Sequence, residues 1–149
     1  MKFIKLSALV LTILPVATAS FALMPLPKEE IDALNKAWRA APFHVQVEIL
    51  QTRHPPGLDA SRCGEITAIV RRSFKGGERL PLGTSVAFDR CITVLDLGFT
   101  DFDRDFQPRR KLEAVLADDP VSSGKFVIVR GGMMQIREIS EKPQLPLGD

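Results

Sequence analysis

The sequence predicts a mainly β exported domain: one N-terminal helix, then five or six antiparallel strands closed into a small barrel. Three observations carry this reading. Short runs of period-two apolar alternation recur along the chain, separated by loops rich in Gly, Pro and Asp. The only two cysteines, Cys63 and Cys91, face each other once a hairpin is centred near Gly77. A single segment after the leader, residues 28–40, carries helical spacing.

The first element is a leader. Lys2 and Lys5 form a basic stretch, residues 6–16 are largely apolar, and Ala17-Thr18-Ala19 fits a signal-peptidase site, with Ser20-Phe21-Ala22 as a weaker one. Residues 1–19 are therefore read as a signal peptide and 20–149 as one domain, periplasmic or secreted, with no stable membrane insertion after cleavage. The chain has 149 residues and a formal charge of +2, but losing Lys2 and Lys5 leaves 18 basic against 18 acidic residues. A neutral exported chain without Tyr gives no case for nucleic acid. Two cysteines in an oxidising compartment favour a disulfide between Cys63 and Cys91. Together with the isolated His44 and His54 they match no metal-ligand spacing, so no metal or cofactor is expected.

Residues 28–40 follow Pro27, which suits a first helical turn. Glu29, Glu30 and Asp32 come early and Arg39 late, complementing the helix dipole. Ile31, Leu34 and Trp38 make one narrow apolar stripe. Trp38 is read as an anchor for the helix rather than a ligand-stacking surface. Ala41-Pro42 ends the helix. Residues 43–50 are the cleanest strand: Phe43, Val45, Val47 and Ile49 face one way, His44, Gln46 and Glu48 the other. His44 is thus expected on a polar, solvated face, without the geometric partner that a catalytic base needs.

The hairpin spans residues 63–92. Ile66, Ala68 and Val70 alternate with polar neighbours, as do Val86 and Phe88, and Lys75-Gly76-Gly77-Glu78 and Pro81-Leu82-Gly83 supply turn residues. The register that joins the cysteines also pairs Ile66 with Phe88 and Ala68 with Val86. It carries one conflict, because Glu65 then faces Asp89 and like charges repel across a strand pair.

Two loops are the candidate binding surface, since loops carry function on rigid scaffolds. Loop 52–62 contains His54-Pro55-Pro56-Gly57, which does not suit a central strand. Loop 97–110 contains Asp101, Asp103 and Asp105, spaced like the first ligands of a calcium loop. Phe106 stands where glycine is needed and Leu112 where the bidentate Glu belongs, so a solvated acidic loop is the better reading. Phe99, Phe102 and Phe106 are expected to pin this loop to the body. Arg109-Arg110-Lys111, with Arg71, Arg72 and Lys75, is read as solvated charge rather than one anion-binding patch. Residues 112–117 make a further strand. Residues 125–130 and 133–139 are expected to form a second hairpin across Gly131-Gly132, with Met134 on the core face. The tail from residue 140 is expected to be extended.

These elements fit an OB-like barrel with the helix plugging one end; an immunoglobulin-like sandwich is the alternative, weakened by the few strands. Ile69-Val70-Arg71-Arg72-Ser73-Phe74-Lys75-Gly76, followed by Leu82-Gly83-Thr84-Ser85-Val86-Ala87-Phe88, resembles the strand–turn–strand pattern of small exported netrin-like and OB-like domains. Residues 112–116 and Gly131-Gly132 are similar to exported bacterial proteins of that kind. The tissue inhibitors of metalloproteinases share this fold and inhibit through an N-terminal cysteine. No cysteine precedes Cys63, so that mechanism does not transfer, and no catalytic residue does. The expectation is a non-enzymatic domain that binds a periplasmic protein or a small ligand through loops 52–62 and 97–110. The alternative is a periplasmic hydrolase using a histidine and the loop aspartates. It lacks a nucleophile motif and requires a histidine and an aspartate to converge.

Overall fold

A computed structural model describes residues 26–57, 62–92, 99 and 101–145. The signal-peptide reading, residues 58–61, 97, 98 and 100 of the two loops, and the tail beyond residue 145 lie outside the described residues. Helix α1 (Lys28–Ala40) precedes strands β1 (Phe43–Arg53), β2 (Cys63–Lys75) and β3 (Ser85–Cys91). Helix α2 (Phe102–Asp105), β4 (Lys111–Asp118) and β5 (Phe126–Ile136) follow. The strands close in the order β1-β2-β3-β5-β4, so the protein is an OB-like barrel.

Strand β1 holds the barrel together because it pairs along most of its length with β2 and through its first half, residues 43–48, with β4. Its inward residues Phe43, Val45, Val47 and Ile49 are buried with Ile66, Ala68 and Val70 of β2, as alternation predicts. The β2–β3 register is the expected one: Cys63 faces Cys91, Ile66 faces Phe88 and Ala68 faces Val86. The cysteines are joined, with Cα atoms 4.0 Å apart. Glu65 does face Asp89, and a residue from outside the hairpin answers the conflict. Lys125 Nζ bonds to the Glu65 carboxylate and lies 3.3 Å from Asp89 Oδ1. Those two acids raise the Lys125 pKa, with the Glu65 hydrogen bond as the larger cause. The cation sits where the barrel is least knitted, since β3 and β5 run parallel and meet through one pair, Phe88 with Phe126.

Three expectations fail, each for a packing reason. Residues 125–139 do not form a hairpin, because residues 126–136 are one strand that pairs with β4 at both ends. The partner of β4 steps from Met133 opposite Ala114 to Ile128 opposite Leu116, so residues 129–132 form a bulge. Gly131 has φ +69°, and a Cβ on Gly132 would lie 2.9 Å from Val115 Cβ, so the glycines serve close approach rather than a turn. The shifted register also exchanges the methionines: Met133 joins the main core, while Met134 packs outside with Trp38 and Val129.

Helix α1 does not plug the barrel. It lies outside, anchored by Trp38, whose Nε1–H donates to the Arg130 carbonyl at 2.8 Å. Trp38 packs on Ala41, Val115 and Leu145, and no residue of α1 is fully buried. The plug is α2. Phe102 and Phe106 are buried with Phe99 in the main core, with ring centroids 4.9 Å apart for the first pair and 5.0 Å for Phe99 on Phe106. Gly64 makes room, because a Cβ there would lie 2.4 Å from the Phe102 ring.

Candidate functional site

The end of β1 delivers His54 beside the disulfide and beneath α2. Its Nδ1–H donates to the Cys63 carbonyl at 3.0 Å, and its Nε2 lies 2.7 Å from Asp103 Oδ1. Its ring meets the Phe102 ring edge-on at 5.3 Å. The two candidate loops, distant in sequence, are therefore joined through one imidazole. Both of its partners are acceptors without a proton, so the ring satisfies both only when both of its nitrogens carry protons. The pKa of His54 is accordingly raised, first by the Cys63 carbonyl and then by Asp103. Only when the ring is protonated does no lone pair remain on it to accept a proton.

The three aspartates do not converge on a common point. Asp101 caps α2, accepting from Arg104 N–H at 2.9 Å. Asp105 is buried, accepting from Asp101 N–H at 3.0 Å and from Arg104 Nε at 3.1 Å. The expectation of a wholly solvated acidic loop therefore fails for Asp105, because the short helix turns it inward. Asp103, in the first turn of α2, points outward, 69% exposed and paired with His54. Among the described residues no group of three or more His, Cys, Asp or Glu side chains is placed to hold a metal ion.

His44 is the larger correction. It is buried rather than solvated, and its Nε2 donates to Glu113 Oε1 at 2.8 Å. Gln46 Nε2 donates to Glu113 Oε2 at 2.7 Å. The backbone N–H of Gln144 donates to Glu113 Oε2 at 2.8 Å, and that of Leu145 to Oε1 at 2.8 Å. The C-terminal segment thus straps over the outer face of β1 and β4 and covers residues that alternation alone places in water. Gln46 is held by the same segment, accepting from Ser140 N–H at 2.7 Å. Burial pushes the Glu113 carboxyl up, but the donors from His44, Gln46, Gln144 and Leu145 together outweigh it and leave the pKa below its ordinary value. Sequence reasoning missed this network. Its trace was Glu113, a lone acid within Leu112-Glu113-Ala114-Val115-Leu116, where every neighbour is apolar.

The basic residues separate. Arg109, Arg110, Lys111 and Arg137 line a cleft of about 510 Å³ with Gln135 and Ile136. Arg71 is paired with Glu48 at 3.1 Å, and Lys75 lies beyond it toward α1, donating to the Arg39 carbonyl at 2.7 Å. The β2–β3 surface, which binds oligonucleotides in OB folds, presents Glu65, Thr67, Ile69, Ala87 and Asp89. None of these five residues is aromatic, so they offer no ring on which a base could stack. No family model, no curated protein and no solved structure matches the chain.

Proposed function

We propose that the protein is an exported, non-enzymatic binding domain that engages a periplasmic protein or a small ligand through the surface formed by loops 52–62 and 97–110. The observation that carries this reading is the His54 junction, which fixes two exposed loops on the rigid, disulfide-bonded end of a closed barrel. Preorganised loops lose little entropy on binding. The Cys63–Cys91 bond supports an oxidising compartment. The alternative, a periplasmic hydrolase, has the His54–Asp103 contact in its favour. Against it, the imidazole is fully engaged, and among the described residues no Ser, Thr or Cys side chain is hydrogen-bonded to either histidine.

Site-specific photo-crosslinking in the native periplasm tests the reading. Photoreactive residues at Pro56 and Gln107, both exposed on the two loops, should capture a discrete protein or small-molecule adduct. A probe at Leu82, exposed in the β2–β3 connection, should not. Adducts from Leu82 alone, or none from either loop, would overturn it.

A further inference from the structure

The opposite end of β1 carries a cleft that the loop reading leaves unused. Its volume is about 310 Å³, at the small end of the range for small-molecule sites. Trp38, Phe74 and Pro143 supply apolar walls, His44 lies at the floor, and Arg39 and Lys75 stand at the rim. These residues come from α1, β1, β2 and the C-terminal segment, and contacts outside the cleft hold them in place. Trp38 is oriented by the Arg130 carbonyl. The Phe74 ring rests against His44 at 5.0 Å. Pro143 is followed by Gln144 and Leu145, whose N–H groups are held by Glu113.

The polar groups left over are cationic or amphoteric. Lys75 donates one proton to the Arg39 carbonyl and keeps two. His44 commits Nε2 to Glu113. No lining residue carries a carboxylate. Glu113, behind the floor, already shares its charge among four donors. Aromatic walls favour a planar apolar body, and an ammonium at the rim favours an anionic end.

We propose that this cleft binds a small aromatic carboxylate, with its ring against Trp38, Phe74 and Pro143 and its carboxylate on Lys75 Nζ. The site is separate from the loop surface, since His44 lies at the start of β1 and His54 just past its other end. It stands or falls without that surface.

The chain has one Trp, so the ¹⁵N-labelled mature protein gives one indole N–H resonance, and that resonance lines the cleft. The disulfide-intact protein is titrated with benzoate, phenylacetate and indole-3-acetate, and with the amide of each acid. The acids should shift the resonance saturably and bind about tenfold or more tighter than their amides, the scale of a hydrogen bond to a charged group. Lys75→Met, at an exposed side chain, should erase that preference while the free protein keeps its spectrum. Arg110→Met, on the other cleft, should retain it. The proposal is overturned if no acid moves the resonance, if acids and amides bind alike in the wild type, or if Lys75→Met keeps the preference.

Discussion

Replacing Glu113 by Ala removes the acceptor that holds the Gln144 and Leu145 amides to the barrel. Glu113 is 0% exposed and receives donors from His44, Gln46, Gln144 and Leu145. Hydrogen bonds to a charged group contribute about 1.5–3 kcal/mol each. Adding four such terms overstates the loss, because the two backbone donors regain water once the segment lifts. His44 and Gln46 remain on β1 and are exposed only in part. The better guide is the cost of leaving the His44 and Gln46 donors buried and unsatisfied, about 1–3 kcal/mol each. Against about 5–15 kcal/mol for a whole domain, that is a large loss. Urea denaturation at pH 7 measures it, and hydrogen exchange at the Gln144 and Leu145 amides locates it. Glu113→Gln keeps one acceptor oxygen but points an NH₂ group at donors, so it should fall between Ala and wild type. The depressed carboxyl predicts a pH dependence of the same sign. Its contribution is present above the ordinary carboxylate value of 4.5 and is lost as pH falls through the lower folded value, releasing the two amides in acid. A Glu113→Ala loss under about 1 kcal/mol, with both amides still protected, would refute the reasoning.

The Cys63→Ser, Cys91→Ser double variant should keep the Ile66–Phe88 pairing but lose about 3.5 kcal/mol, the chain-entropy value for a separation of 28 residues; calorimetry with NMR contacts checks both halves. Lys125→Met should lower the Tm by leaving Glu65 and Asp89 facing each other unscreened, and adding Glu65→Gln should recover part of the loss. Gly64→Ala should displace Phe102 from the barrel mouth, seen as faster hydrogen exchange in α2, because the new Cβ falls 2.4 Å from that ring.

The parts of the fold legible in the sequence are those set by neighbours along the chain. Alternation located β1 and the hairpin, and the cysteines fixed its register to the residue. The parts that were not legible depend on what covers an outer face. His44 and Gln46 occupy positions that alternation assigns to solvent, and only the returning C-terminal segment buries them. Gly131-Gly132 carries a strong turn signal, yet β4 is long enough to pair on both sides of it, so continuous pairing with a bulge replaces the turn. Glu65 facing Asp89 looked like a reason to doubt the register. It was instead the trace of a third residue, Lys125, that sequence spacing cannot bring into view. At the candidate site the two loops were legible, but their junction was not: His54 and Asp103 lie 49 residues apart and meet through tertiary packing.

His54 joins the two loops through both ring nitrogens, to the Cys63 carbonyl and to Asp103, and its ring titration tests this most directly. A folded pKa raised above 6.5 stabilises the protein below that pH, a contribution lost as pH rises through the folded value. NMR of the His54 ring nitrogens should show both protonated and hydrogen-bonded in the acidic limb. The midpoint should lie above 6.5 and fall in Asp103→Asn. A midpoint at or below 6.5, unmoved by Asp103→Asn, would contradict the account and return His54 to the list of possible bases.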